Sequence, residues 1–236
     1  MTTAAKTTTA PSAQTLLRLS GLAGIGAGLI FAGIQPFHPA DVVASVTTGP
    51  WAVILSLKFS MCLLMLVGIT GIYLRQVGKA GWVGFAGFAL LIGSWFLQTG
   101  FVFSELFILP KLAPVSADFV DSFLTLARGG AATVDIGPAA PLYGVVGLCY
   151  LLGGLLFGIA TYRADILSRW AGLLWTVTAL ITPAAALLPH AVQRYAAVPM
   201  GLTLIWLGVV LWTERRGIAA TVAQSVTQLR DVPASN

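Results

Sequence analysis

The sequence predicts an all-α protein, a polytopic bundle of transmembrane helices, and two observations carry that prediction. Of the 236 residues, 57% are hydrophobic and only 9% are charged, whereas soluble domains carry about 25% charged residues. The apolar residues also lie in long runs, and a helix that crosses a bilayer needs about 20 of them. A soluble fold of this size would lack the charged residues needed to cover its surface.

Six apolar runs are separated by residues that end or interrupt helices, such as Gly81 and Pro110. They form one predicted transmembrane domain, residues 15–216, and each run is long enough to cross a bilayer. The Thr- and Ala-rich segment 1–14 is predicted to be a disordered cytoplasmic tail, and 217–236 a second cytoplasmic tail. The predicted spans are 16–36, 50–75, 82–109, 140–162, 169–188 and 195–213.

The longest connection joins the third span to the fourth. Near 116–128 its apolar residues recur with helical spacing, and two acids, Asp118 and Asp121, lie among them. This pattern is typical of a short amphipathic helix on a membrane surface. We expect such a helix on the outer side.

Lysine and arginine positions orient the predicted spans, because cytoplasmic segments carry the excess of these residues. With both termini inside, nine basic residues fall in cytoplasmic segments, three fall in outer loops, and Lys58 lies within a span. The basic residues form no tract, so nucleic acid is not an expected partner. We expect a multi-pass protein of a bacterial-type inner (cell) membrane, with the lipid bilayer as its surroundings. The cytoplasmic set is Lys6, Arg18, Arg75, Lys79, Arg163, Arg169, Arg215, Arg216 and Arg230, and the outer set is Lys111, Arg128 and Arg194.

Two ionisable residues, Lys58 and Glu105, lie inside predicted spans. Each charged group there costs roughly 2.5–3.5 kcal/mol on insertion scales, so an intramembrane carboxylate indicates a functional site by default. Counted from Pro50 and Pro110, both residues fall in the outer half of the membrane, at roughly 12 and 7–8 Å of depth. An ion pair between them is therefore feasible.

Polar and aromatic residues recur at helical spacing on three spans, which places them on single helix faces. Three such faces would line one cavity open to the outer side, although each stripe alone is also what helix packing and interfacial aromatic residues produce. The residues expected to line the cavity and bind a substrate are Lys58, Trp95, Gln98, Phe101, Tyr143, Tyr150 and Trp206.

The chain resembles the small integral-membrane terpene cyclases, which include fungal meroterpenoid cyclases and actinobacterial enzymes that cyclise farnesylated indole diketopiperazines of the drimentine type. The resemblance covers the whole chain and consists of size, hydropathy, lone intramembrane acids and many aromatic residues. The fungal enzymes have seven spans, so seven are possible here beside the six counted. The resemblance implies cyclisation of a prenyl chain on a lipophilic, prenylated indole-type substrate, without diphosphate loss.

That chemistry needs a proton donor, a dry cavity and groups that stabilise carbocations; it demands no metal and no organic cofactor. Glu105 is the expected acid, because desolvation disfavours its charged form, unless Lys58 pairs with it. In that case Asp41 or Asp135 would replace Glu105, and Asp135, His190 or water would take the final proton. The aromatic rings would offer π faces to the cations.

Two other functions stay open from the sequence. A small-molecule or ion transporter would fit a polar path, although the two halves show no obvious repeat and no span has a central Gly/Pro break. A non-catalytic membrane subunit would use Lys58 and Glu105 as an interhelical clamp. The sequence leaves the substrate and the oligomeric state open.

Overall fold

The computed structural model describes residues 11–185 and 190–213, and within those ranges the chain is helical and contains no strand. Short 3-10 turns and one π-helical turn, Ser104–Ile108, join or extend the α-helices. The described α-helices are α1 Ala13–Gly33, α2 Gly49–Phe103, α3 Leu109–Leu112, α4 Ala117–Ala127, α5 Ala139–Ala164, α6 Arg169–Ala185, α7 His190–Gln193 and α8 Ala197–Thr213.

Helix α2 is a hairpin of two arms, 49–80 and 82–103. Gly81, with φ 58° and ψ −165°, breaks the helix between them, and a glycine adopts that left-handed backbone without steric cost. The rings of Tyr73 and Phe88 stack with centroids 4.3 Å apart, whereas fifteen residues of straight helix would separate them by about 22 Å. The arms therefore run side by side, as the sequence predicted from the break at Gly81.

The described residues contain four helices long and apolar enough to cross a membrane: Ala13–Phe37, Gly49–Leu112, Ala139–Ala164 and Arg194–Thr213. The second of these, with 64 residues, contains the α2 hairpin. Helix α6 has 17 residues, about 26 Å of helix, which is slightly less than the hydrocarbon core of about 30 Å. The end of the predicted fifth span, 186–188, lies outside the described residues.

Backbone contact between helices holds the bundle together. α1 packs along α8, and both arms of α2 lie in the bundle, packed against α1 and α5. A methyl group added to Gly28 would overlap the carbonyl oxygen of Gly201 and lie 2.8 Å from Cγ1 of Ile205. Small residues at such crossings let two backbones touch, which is the usual way that membrane helices associate.

Many large apolar side chains point away from the bundle. Soluble monomers rarely expose broad apolar surfaces, so this distribution is compatible with a multi-pass membrane protein. The exposed set includes Leu16, Leu29, Val53, Leu63, Phe96, Phe107, Leu148, Leu152, Trp170 and Leu202.

The predicted amphipathic segment is helix α4, and its bounds lie within one residue of the prediction. Val120 and Leu124 are fully buried against the bundle, while Asp118 is exposed. The helix thus covers one end of the bundle. The first helix begins at Ala13, where Ser12 Oγ accepts a hydrogen bond from Thr15 N. The predicted tail 217–236 and residues 1–10 of the other tail lie outside the described residues.

Candidate functional site

A cavity of about 710 Å³ lies at the end of the bundle that α4 covers. We call this end of the molecule the cavity end. Residues of α1, both arms of α2, α4, α5 and α6 contribute to the walls, together with the chain that leads into α8. Drug-sized ligands occupy pockets of about 300–1,000 Å³, so the cavity has room for one such molecule.

One wall of the cavity is aromatic. Trp95 lies at its centre and is 6% exposed; its ring makes edge contacts with Phe31 at 5.8 Å and with Tyr150 at 6.1 Å between centroids. Tyr143 lines the cavity beside them. These contacts fix the ring orientations, so the wall is a preformed apolar surface.

The polar part of the lining contains both charged groups and amides. Asp41, Lys58, Gln98 and Arg194 all line the cavity. The structure thus brings together five of the predicted substrate-binding residues, namely Lys58, Trp95, Gln98, Tyr143 and Tyr150.

Glu105 lies behind this lining and forms an ion pair with Lys58. The Lys58 Nζ and Glu105 Oε2 atoms are 3.1 Å apart, and the two side chains are 20% and 4% exposed. Glu105 lies in the π-helical turn Ser104–Ile108. Pro110 comes two residues after this turn, and because a proline has no backbone N–H, it cannot donate the hydrogen bond that a regular α-helix would form there. Trp51 Nε1 donates to the backbone oxygen of Glu105 at 3.1 Å, which holds the turn in place.

This ion pair is the condition under which Asp41 or Asp135 was expected to act as the acid in place of Glu105. A carboxyl group bonded to a lysine ammonium is favoured in its charged form and is a poor proton donor. Asp135 is exposed and accepts a hydrogen bond from Gly137 N at 2.8 Å, and it does not line the cavity. Asp41 is the remaining predicted carboxyl residue, and it does line the cavity.

Asp41 belongs to the loop 38–48, which two arginines fasten across the cavity mouth. Arg128 Nη1 donates to the backbone oxygen of Asp41, and Arg194 Nη1 donates to that of His38 at 2.6 Å. Arg128 also reaches Asp121 Oδ1 at 3.3 Å. Because both arginines bind backbone oxygens, they hold the loop through its main chain.

Two predicted lining residues lie elsewhere. Phe101 is 8% exposed and packs behind Tyr143, with centroids 5.0 Å apart. Trp206 is 42% exposed, because α8 turns residues such as Gly201 and Leu204 toward α1 and the tryptophan to the other side. The side chain of His190 lies outside the described part of the structure, so its predicted role stays a prediction.

Sequence reasoning missed the contribution of α1 and its extension to the site. Phe31, Gln35 and His38 all line the cavity, and Gln35 Nε2 donates to the backbone oxygen of Phe31 at 2.6 Å. The polar residues Gln35 and His38 beside Pro36 and Pro39, just past the first apolar run, were the available signal.

His38 makes closure of the loop depend on pH. Burial lowers the pKa of its imidazole below the usual value, and the Lys58 ammonium lowers it further, while Asp41 acts in the opposite direction. A released loop would take up a proton near the ordinary value of about 6.5, so the neutral form favours closure. We expect thermal stability to be constant above about pH 6.5 and to fall as the pH drops below it toward the lowered pKa of His38.

The measurement is thermal unfolding in detergent across that pH range. His38→Gln should flatten the profile. An unchanged profile in His38→Gln would assign the pH dependence to another group.

The described residues therefore belong to the class of helical bundles that have several apolar helices and an amphipathic cavity at one end. Among the described residues no group of three or more His, Cys, Asp or Glu side chains is placed to hold a metal ion. Comparison with protein-family models, with curated proteins and with solved structures finds no match to this chain.

Proposed function

We propose that the chain is a six-span protein of a bacterial-type inner membrane with both termini in the cytoplasm. The two arms of α2 supply separate crossings, since 64 residues of helix would extend to about 96 Å, and α6 adds another. The distribution of nine basic residues against three supports the orientation. In this arrangement the cavity end faces the outer side.

The proposed function is to bind a lipophilic small molecule in the cavity and to cyclise its prenyl chain. The single observation that carries the proposal is the pairing of a rigid aromatic wall, centred on Trp95, with one cavity-lining carboxyl residue, Asp41. A ligand with an apolar chain and a polar head, such as a prenylated indole, matches both parts. Tyr143 and Tyr150 would face a chain lying along Trp95.

In the proposed reaction Asp41 gives a proton to an alkene of the prenyl chain, and the rings stabilise the cation that forms. The last cation loses a proton to water and Asp41 takes a proton back from water, so the product is an isomer of the substrate and no cofactor is consumed. The Lys58–Glu105 pair would bind the polar head rather than donate the proton.

A binding or catalytic role fits the described bundle better than transport. Next to the cavity the core contains Met65, Ile69, Leu91 and Phe157, each at most 1% exposed. These apolar side chains lie where a transporter would need polar groups or water to continue the cavity.

The test is incubation of the protein in liposomes with a panel of farnesylated indoles, followed by mass spectrometry after chromatographic separation of isomers. We expect cyclised isomers from the wild type. Asp41→Asn should lower turnover by about 10²–10⁴-fold, the usual contribution of a general acid, while keeping the backbone oxygen that Arg128 binds. Asp135→Asn is the matched control and should retain turnover, because that residue lies outside the cavity. No product from any substrate, or full turnover in Asp41→Asn, would overturn the proposed reaction.

A further inference from the structure

Helices α5 and α6 touch at one end and separate at the other. In the deeper half, a methyl group on Gly154 would lie 2.8 Å from Cβ of Ala179, and one on Gly158 would lie 2.7 Å from the nitrogen of Thr176. Toward the cavity end, a methyl group added to Gly144 or Gly147 would have no atom of the described residues within 4 Å. The close helix contact has therefore ended by the level of these two glycines.

The residues at this separation line the cavity and are also exposed. Gly144, Gly147 and Leu148 belong to the cavity lining, and Leu148 is 57% exposed, on the same helix as the exposed Val145 and Leu152. Across the gap the α6 lining residues are the small Thr182 and Ala185. The cavity wall here is thus one helix thick, and two of its residues, Gly144 and Gly147, have no side chain to fill the space between α5 and α6.

The position of this thin wall along α5 indicates what it faces. Gly144 and Gly147 come five and eight residues after Ala139, where α5 begins, which corresponds to about 8–12 Å of helix. Under the proposed six-span topology this depth lies within the hydrocarbon region, which is about 30 Å thick. Exposed apolar residues such as Val145 and Leu152 flank the glycines on the same helix.

We propose that the glycine face of α5, opposite Thr182 and Ala185, is a lateral portal through which an uncharged, membrane-dissolved lipophile with one isoprenoid-type chain enters the cavity. The proposal rests on the proposed function, since it concerns the ligand of the same cavity. A charged molecule would lose its hydration on such a route, so the entering ligand is neutral. The volume of about 710 Å³ admits one drug-sized molecule.

The charges of the lining agree with a neutral ligand. The lysine at the cavity is already balanced by Glu105 at 3.1 Å. The other two formal charges among the described lining residues are opposite in sign, on Asp41 and Arg194. The site therefore offers hydrogen bonds to a polar head without a net charge that would require a counter-ion.

The test uses farnesol carrying a diazirine, added to liposomes that contain the full-length protein. After brief illumination, peptides that contain Trp95, Tyr143 or Tyr150 are quantified by mass spectrometry as a function of time. We expect these peptides to be labelled in the wild type. Gly147→Leu should slow their labelling by about tenfold or more, which corresponds to a barrier higher by about 1.4 kcal/mol.

Gly100→Leu is the matched control, because Gly100 is exposed, has open space beside it and does not line the cavity; its labelling rate should equal that of the wild type. Leu148→Ala should widen the opening and speed labelling, and it tests the portal independently of whether Gly147→Leu folds. Equal rates in the wild type, Gly147→Leu and Leu148→Ala would overturn the portal while leaving ligand binding in place. Absence of cavity labelling in the wild type, in liposomes and in detergent alike, would overturn the proposed ligand binding and the portal with it.

Discussion

Lys58→Met is expected to destabilise the protein by about 3–5 kcal/mol, the usual cost of removing one partner from a buried ion pair. The reason is that the carboxyl group of Glu105, only 4% exposed, would be left buried without its partner. Glu105→Gln should cost less, since the Lys58 side chain is 20% exposed and its ammonium is less completely desolvated than the Glu105 carboxyl. Lys58→Met should therefore lose more stability than Glu105→Gln, because the group that it leaves unpaired is the more deeply buried of the two.

The measurement is unfolding of the purified protein in detergent, by heat or by a denaturing surfactant. The double variant Lys58→Met with Glu105→Gln should recover most of the lost stability, because replacing both charges removes the unpaired one. Asp121→Asn breaks the exposed pair with Arg128, whose side chains are 47% and 27% exposed; it is the matched control and should cost about 1 kcal/mol or less. Equal effects of Lys58→Met and Asp121→Asn would contradict a buried pair.

The helices were predictable because each combines a long apolar run with a local stop signal. The fourth run was predicted at 140–162 and the helix is Ala139–Ala164; the break at Gly81 separates the arms of α2 as predicted. Apolar content and glycine or proline positions are local properties of the sequence, so they place helices without knowledge of their neighbours. Four helices fit a membrane crossing by length and composition, and the six-span topology stays a prediction.

The cavity was only partly predictable, since spacing defines a helix face but not what that face meets. Trp95 and Tyr150 share the cavity wall, whereas Trp206, predicted by the same reasoning, points away from it. On α8 the small residues, such as Gly201, pack against α1, and that contact decides the rotation of the helix. The pairing of α1 with α8 depends on segments about 170 residues apart, which local periodicity does not encode.

The loop at the cavity mouth was beyond sequence reasoning for the same reason. Arg194 binds the backbone oxygen of His38 across 156 residues, and Arg128 binds that of Asp41 across 87. A single sequence gives no information on such pairs. The pairing of Lys58 with Glu105 was foreseeable, because both residues fall at similar depths from the same end of an antiparallel pair of helices.

Gly28→Leu is the second change for which we expect a large effect. A side chain at this position would overlap the carbonyl oxygen of Gly201 and approach the backbone nitrogen of Ile205 to 3.0 Å. Backbone atoms cannot move aside as a side chain can, so α1 and α8 would have to separate. Overpacking ordinarily costs about 1–3 kcal/mol, and here we expect at least the upper end of that range, measured as a loss of thermal stability in detergent.

Gly33→Leu on the same helix is the matched control, because it introduces the same side chain where no atom lies within 4 Å; its stability should stay near that of the wild type. Equal losses in both variants would attribute the effect to the leucine itself and not to the helix crossing. The same separation should also reach the cavity, since α1 contributes Phe31 and Ile34 to its lining. At temperatures where the Gly28→Leu bundle is still folded, diazirine-farnesol should label the peptide containing Trp95 more weakly than it does in Gly33→Leu, because displacement of Phe31 removes the ring that holds Trp95 edge-on.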